Sequence, residues 1–213
     1  NRFTGTGLAP ADADEVVPPL LEYTADPRTV AEIEDLLTRL GGEHRPRLWW
    51  ALRMFAPLLH VPDGGPWSFG RGRRFRAAPG MIVDGTREES TRRLVRRYLE
   101  GFGPAGVADV GKFTLLRRPD LRAACVALCA AGELEELAGP DGTPLYDVPG
   151  APRPDQDVPA PPRLLPMWDN VLLAYADNER LIPPDLRALV IRRNGDVLPT
   201  VLVDGSVVGV WRP

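Results

Sequence analysis

Apolar residues recur at helical spacing three times between residues 86 and 147, and the period then changes to that of a short ribbon. Leu94, Val95, Tyr98, Leu99 and Phe102 stand at i, i+1, i+4, i+5 and i+8, one stripe along a helix. Thr86 with Glu89 three residues later has the spacing of a capping box, which starts that helix. Gly101 and Gly103 stop it, and Pro104 suits the first turn of a second helix. A third helix has Pro119 in its first turn and Leu121, Cys125 and Leu128 on one face. Glu133–Leu137 and Thr143–Val148 then flank Gly139-Pro140-Asp141-Gly142, a hairpin turn.

The N-terminal part repeats this order. Asp12–Tyr23 is helical in part, with Pro18-Pro19 marking a start or a break. Thr29–Leu40 is amphipathic, with Val30, Ile33, Leu36, Leu37 and Leu40 on one face and Gly41-Gly42 as its stop. Pro46–Leu59 reads as a third helix, followed by strands at Leu59–Val61 and Trp67–Phe75 around a glycine-rich turn. Three helices and a ribbon are the order of a winged helix. The predicted fold class is therefore α+β, with tandem winged helix-turn-helix modules at 1–80 and 81–148 and a C-terminal antiparallel β segment. Residues 149–162 are a proline-rich, semi-rigid linker. In 163–213, Asn194-Gly195 joins Leu189–Arg192 to Val197–Val203, and Asp204-Gly205 joins that strand to Val207–Trp211. Three such strands are near the lower limit of independent stability, so they are expected to pack on the rest of the chain.

Bulk properties narrow the partners. The chain has 213 residues, 44% hydrophobic and 26% charged, ordinary for a globular protein with a real core. A net charge of −3 gives no global pull toward nucleic acid, so binding needs a local basic patch. Lys112 is the only lysine; arginine supplies the rest of the positive charge and suits bidentate phosphate contact. The richness in Arg, Ala, Pro and Gly equally fits a GC-rich genome. Cys125 and Cys129 lie four apart on one predicted helix and read as small core residues, not a disulfide framework. No apolar run reaches the roughly 20 residues that span a bilayer, and no signal peptide is visible, so a cytoplasmic location is expected. The opening NRFTGTGLAP lacks Met and predicts a chain taken from a longer one.

Catalytic chemistry is sparse. His44 and His60 read as structural histidines, and Gly70-Arg71-Gly72 is not followed by a helix, which excludes a dinucleotide loop. Asp169, Asp177 and Glu179 gather near Trp168 and Tyr175, but turns and solvated charges account for them better than a metal. Arginine placement is the strongest functional signal. Arg71, Arg73, Arg74 and Arg76 surround Phe75 on the first wing, where arginine suits the phosphate backbone or a narrow minor groove. Arg117, Arg118 and Arg122 stand at the start of the third helix of the second module, where the helix dipole adds positive potential. Arg92, Arg93, Arg96 and Arg97 alternate with Glu88 and Glu89 and read as a solvated face. The ribbon of the second module, with Glu133, Glu135, Glu136 and Asp141, is a poor phosphate ligand.

LLPMWDNVLLAYADNERLIPP followed by NGDVLPTVLVDGSVVGVWRP resembles a bacterial family of winged-helix DNA-binding proteins that includes the AlkZ-like DNA glycosylases. LWWALRMFAPLLHVPDGGPWSFG and RRYLEGFGPAGVADVGKF support the resemblance, which covers most of 28–213. It implies a C-shaped scaffold of tandem winged helices, duplex DNA as partner, no cofactor, no metal and no membrane, with a monomer expected. It also implies excision of alkylated or crosslinked bases through a Gln-x-Gln motif in an N-terminal module. Gln156 is the only glutamine in this sequence, so the expectation is a DNA-binding scaffold that forms the C-terminal two thirds of such a protein, with no catalytic residue assigned. Two alternatives stay open: a glycosylase, whether its catalytic part lies elsewhere or it uses Asp169 or Asp177, and a protein–protein module. Trp168, Asp169, Trp211 and Arg212 match the family pattern and are expected to hold the C-terminal strands.

Overall fold

A computed structural model of the chain describes every residue except 1–9, 43, 45–46, 63, 66–72, 79, 81–84, 156 and 213; for 10–12 it describes the backbone alone. The structure mixes helices with small antiparallel sheets and divides into two compact units, Asn1–Asp84 and Gly85–Pro213.

The first unit runs α1 (Pro10–Tyr23), β1 (Arg28–Thr29), α2 (Val30–Gly41), α3 (Leu48–Leu52), β2 (Leu58–Val61) and β3 (Arg74–Ala77). Helix α1 continues through Pro18 and Pro19, where a start or break was expected. The carbonyls that lose their donors belong to Asp14 and Glu15, which are exposed, so water can replace the missing bonds. Helix α2 has its predicted ends. The Thr29 hydroxyl accepts from the Glu32 N–H, and the Glu32 carboxylate accepts from the Thr29 N–H at 2.8 Å. Gly42 closes the helix at φ 70°, a left-handed conformation that costs glycine little. Ile33 and Leu37 are buried with Leu20, Trp49, Leu52 and Phe75.

Helix α3 is much shorter than the predicted 46–59. Pro57 disfavours helical geometry at Ala56, and Leu58 onward is drawn into β2. Strand β3 is the centre of a β1-β3-β2 sheet, with Leu59 opposite Arg76, His60 opposite Phe75 and Val61 opposite Arg74. Two-residue β1, which no sequence pattern marks, pairs Thr29 with Arg74.

The second unit begins with α4 (Arg87–Phe102), α5 (Val107–Thr114), α6 (Arg118–Ala130), β4 (Glu135–Ala138) and β5 (Pro144–Asp147). Thr86 and Glu89 form the predicted capping box of α4. Helix α5 starts at Val107, not at Pro104, because Ala105 is held extended: it exchanges backbone hydrogen bonds of 3.0 and 2.9 Å with Tyr146. Val95, Leu99, Val110, Leu121, Cys125 and Leu128 form the core. Burial pushes the Cys125 thiol up to about 11, and it packs as a small apolar side chain.

The chain then forms β6 (Arg163–Leu165), α7 (Asn170–Leu173), α8 (Arg187–Val190), β7 (Thr200–Val203) and β8 (Ser206–Val210), with sheet order β6-β7-β8. The Asp204-Gly205 hairpin is as expected. The strand expected at Leu189–Arg192 is instead the end of α8, whose Val190 is fully buried; only the Ile191–Val197 bridge spans the Asn194-Gly195 turn. The third strand is β6, in the segment after the proline-rich stretch. Three hydrogen bonds fasten residues 174–176 to the helices. Tyr98 Oη donates to the Ala174 carbonyl at 2.7 Å, Tyr175 Oη to the Phe102 carbonyl at 3.1 Å, and the Ala176 N–H to Asp109 Oδ1 at 2.8 Å. Among the described residues no helix is long and apolar enough to cross a membrane.

Candidate nucleic-acid interface

The first arginine cluster is built on β3. Phe75 points inward, 4.9 Å edge-on from Trp49 and 4.2 Å from His60 between ring centroids. Alternation along the strand therefore turns Arg74 and Arg76 to the other face. The aromatic that the arginines surround in sequence is thus an anchor for the strand, not part of their surface. Arg76 and Arg73 are exposed; Arg74 is half-buried between its neighbours on β1 and β2. Glu32 lies close enough to feel Arg74. Its carboxyl is held below the usual value mainly by the hydrogen bonds from Thr29, with smaller contributions from Arg28 and Arg74. Arg71 lies outside the described residues.

The second cluster divides in two. Arg117 is committed: its Nε and Nη2 each donate to the Asp120 carboxylate at 3.0 Å, and Arg87 from α4 donates to the same carboxylate at 2.9 Å. Arg118 and Arg122 are exposed and four residues apart on α6, so they share one flank of the helix. Among the described residues neither forms an ion pair. The Arg117-x-x-Asp120 spacing was a legible sign of the pairing, whereas Arg87 is 33 positions away in sequence and could not be read.

The acidic candidates are occupied in turns and caps. Asp169 Oδ1 accepts from the Val171 N–H and caps α7, and Asp177 Oδ1 accepts from the Glu179 N–H at 2.9 Å. Among the described residues no group of histidine, cysteine and acidic side chains could hold a metal ion. Trp211 donates from Nε1 to the Leu165 carbonyl at 2.9 Å, and the Trp168 N–H binds the Val197 carbonyl, which suits the expected role in holding the C-terminal strands. The sequence did not single out Asp147. It is 1% exposed and accepts from the Val148 N–H through Oδ1 at 2.8 Å, while Oδ2 has no partner among the described residues.

The family model "DNA glycosylase AlkZ-like" matches residues 2–213. The chain belongs to the AlkZ-like DNA glycosylase family. A solved structure of Streptomyces sahachiroi DNA glycosylase AlkZ superimposes with a TM-score of 0.69 and 23% sequence identity over 99% of this chain, so the two share a fold. The match spans 60% of that relative's length. No functionally curated protein matches the chain.

Proposed function

We propose that this chain is a DNA-binding scaffold of the AlkZ-like family, with two winged helices that grip the sugar–phosphate backbone of duplex DNA. The observation that supports this best is the outward face of β3, where Arg74 and Arg76 alternate with buried Phe75, with exposed Arg73 just before the strand. In this reading β2 and β3 are the first wing, and α4, α5 and α6 with the β4–β5 hairpin are the second module. Arg118 and Arg122 supply its contact, with Arg117 held back by Asp120. The second hairpin carries Glu135 and Glu136 and stays off the phosphates. Backbone contacts of this kind bind with little sequence preference.

Fluorescence anisotropy with a short mixed-sequence duplex tests the proposal. Arg73→Ala with Arg76→Ala is expected to weaken binding about tenfold at low salt, and Arg118→Ala with Arg122→Ala by a similar factor. Unchanged affinity in both double variants would sink the assignment. A flat binding curve for the wild type would favour a protein–protein module.

Family membership supports a second reading: excision of damaged bases by hydrolysis of the N-glycosidic bond. An abasic-site assay on alkylated duplex decides it, since activity lost on Asp169→Asn would make that residue catalytic as well as the cap of α7.

A further inference from the structure

The Asn194-Gly195 turn has no part in the DNA-binding reading. Its tip stands in solvent, with Arg192, Arg193, Asn194 and Gly195 all exposed. Gly195 has φ 88°, and a Cβ built on it would meet nothing within 4 Å, so the tip is open on that side. Two backbone bonds of 2.9 Å hold the turn. The Gly195 N–H donates to the Arg192 carbonyl, and the Arg192 N–H donates to the Asp196 carbonyl.

Asp196 grips the Asn194 amide at both ends. Its backbone N–H donates to Asn194 Oδ1 at 3.1 Å, and its Oδ2 accepts from Asn194 Nδ2 at 2.7 Å. These partners fix which end of the amide is oxygen, because a carboxylate only accepts and an N–H only donates. The donor on Oδ1 draws electrons from Cγ and stands where negative charge gathers when a nucleophile adds there. The carboxylate on Nδ2 favours the gain of a proton, which an amide nitrogen needs before it leaves. The nucleophile is next in the chain. The Gly195 backbone nitrogen closes a five-membered ring on Cγ, and glycine puts no Cβ beside the bond being made.

We infer that Asn194 is a self-modification site of the folded chain, where the Gly195 nitrogen displaces the side-chain amide with the help of Asp196. The N–Cγ bond forms as the Gly195 N–H proton passes to solvent. The Cγ–Nδ2 bond then breaks and ammonia leaves, giving a cyclic succinimide. One water reopens the ring. Cleavage of the new N–Cγ bond gives aspartate; cleavage between the ring nitrogen and the Asn194 main-chain carbonyl carbon gives isoaspartate. Nothing is oxidised or reduced. The Gly195–Arg192 hydrogen bond has to open first, and exposed backbone bonds of this kind open at low cost.

The product disturbs what the turn supports. A carboxylate at 194 would face the Asp196 carboxylate across the 2.7 Å that an N–H now bridges. Isoaspartate adds a methylene to the main chain between two anchored positions. Ile191 bridges to Val197, and the Leu198 N–H donates to the Val190 carbonyl at 2.9 Å, with Val190 and Val197 buried.

Peptide mass mapping of the whole chain tests the inference, with the chain incubated near neutral pH both folded and in guanidinium chloride. Asn170 and Asn178, followed by Val171 and Glu179, are the internal references. In the folded chain Asn194 should exchange amide nitrogen for oxygen well ahead of both, with isoaspartate among the products. Asp196→Ala should slow this about three- to tenfold, well short of the about 10²–10⁴ of acid–base assistance in closed sites, because water reaches this one. The same variant should leave the rate in guanidinium chloride unchanged, and circular dichroism checks that it folds. Asp196→Asn, which keeps the shape without the charge, should also slow the folded chain. Asn194 converting no faster than the references, or only in denaturant, would overturn the site. An unchanged rate in both folded Asp196 variants would overturn the assistance that the inference assigns to Asp196.

Discussion

Asp109→Ala should loosen the C-terminal segment from the helices that carry it. Asp109 Oδ2 accepts from the Gly106 N–H at 2.9 Å, which closes the first turn of α5, and Oδ1 accepts from the Ala176 N–H at 2.8 Å. One carboxylate therefore caps the start of a helix and clasps a strand-bearing segment 67 residues away. Hydrogen bonds to charged groups contribute about 1.5–3 kcal/mol each, but the Ala176 bond is exposed and sits at or below the bottom of that range. Gly106 is buried, so its N–H would lose its partner where water replaces it poorly. Together these give a loss of about 2–3 kcal/mol. With a urea slope of about 2 kcal/mol per molar, the midpoint should fall by about 1 M. Asp109→Asn keeps the shape and one acceptor and should recover about half. Hydrogen exchange supplies a local readout, because the Ala176 amide should lose protection in the alanine variant. A change below about 0.5 kcal/mol with Ala176 still protected would refute the clasp.

Four further outcomes follow from individual contacts. A Cβ on Gly103 would meet the Asp147 carboxylate and stand 2.7 Å from the Leu99 carbonyl oxygen, so Gly103→Ala should cost more than about 2 kcal/mol, read as a lowered Tm. Thr86→Ala removes the cap of α4 and should cost about 1 kcal/mol by urea denaturation. The hydrogen bonds from Thr86 hold Glu89 below its usual 4.5, so the stability this carboxylate contributes is present above that pH and is lost as the pH falls through its lower folded value; the Thr86→Ala variant should show less of this acid-side loss. Burial raises both cysteine thiols, Cys125 to about 11, so a thiol reagent near neutral pH should label the native chain slowly and the denatured chain at once.

What could be read from the sequence was local. The Thr86–Glu89 capping box pairs residues three apart and carries its whole signal within one turn; Thr29 with Glu32, which was not singled out, has the same spacing. Pro119 in the first turn of α6 and the Asp204-Gly205 hairpin are of the same kind. The misreadings came where a distant partner decides the conformation. Tyr146 holds Ala105 extended and delays α5, and Leu202 pairs with Arg163 from nearly forty residues away to make β6 a strand. Strand pairing also ends α3 early, since Leu58–Val61 serves β3 better than it serves a helix. The interface divides along the same line. The alternation that faces Arg74 and Arg76 away from Phe75 was visible, whereas the withdrawal of Arg117 by Asp120 and Arg87 depends on how α4 packs on α6.

The central claim, that this chain grips duplex DNA through phosphate contacts, is tested most directly by the salt dependence of its affinity. Anisotropy titrations of the wild type from about 50 to 200 mM salt should give a linear log–log plot. With Arg73, Arg76, Arg118 and Arg122 each on a phosphate, its slope should be about −3.6. Affinity that is immeasurable at the lowest salt, or that stays flat across the range, would contradict the account.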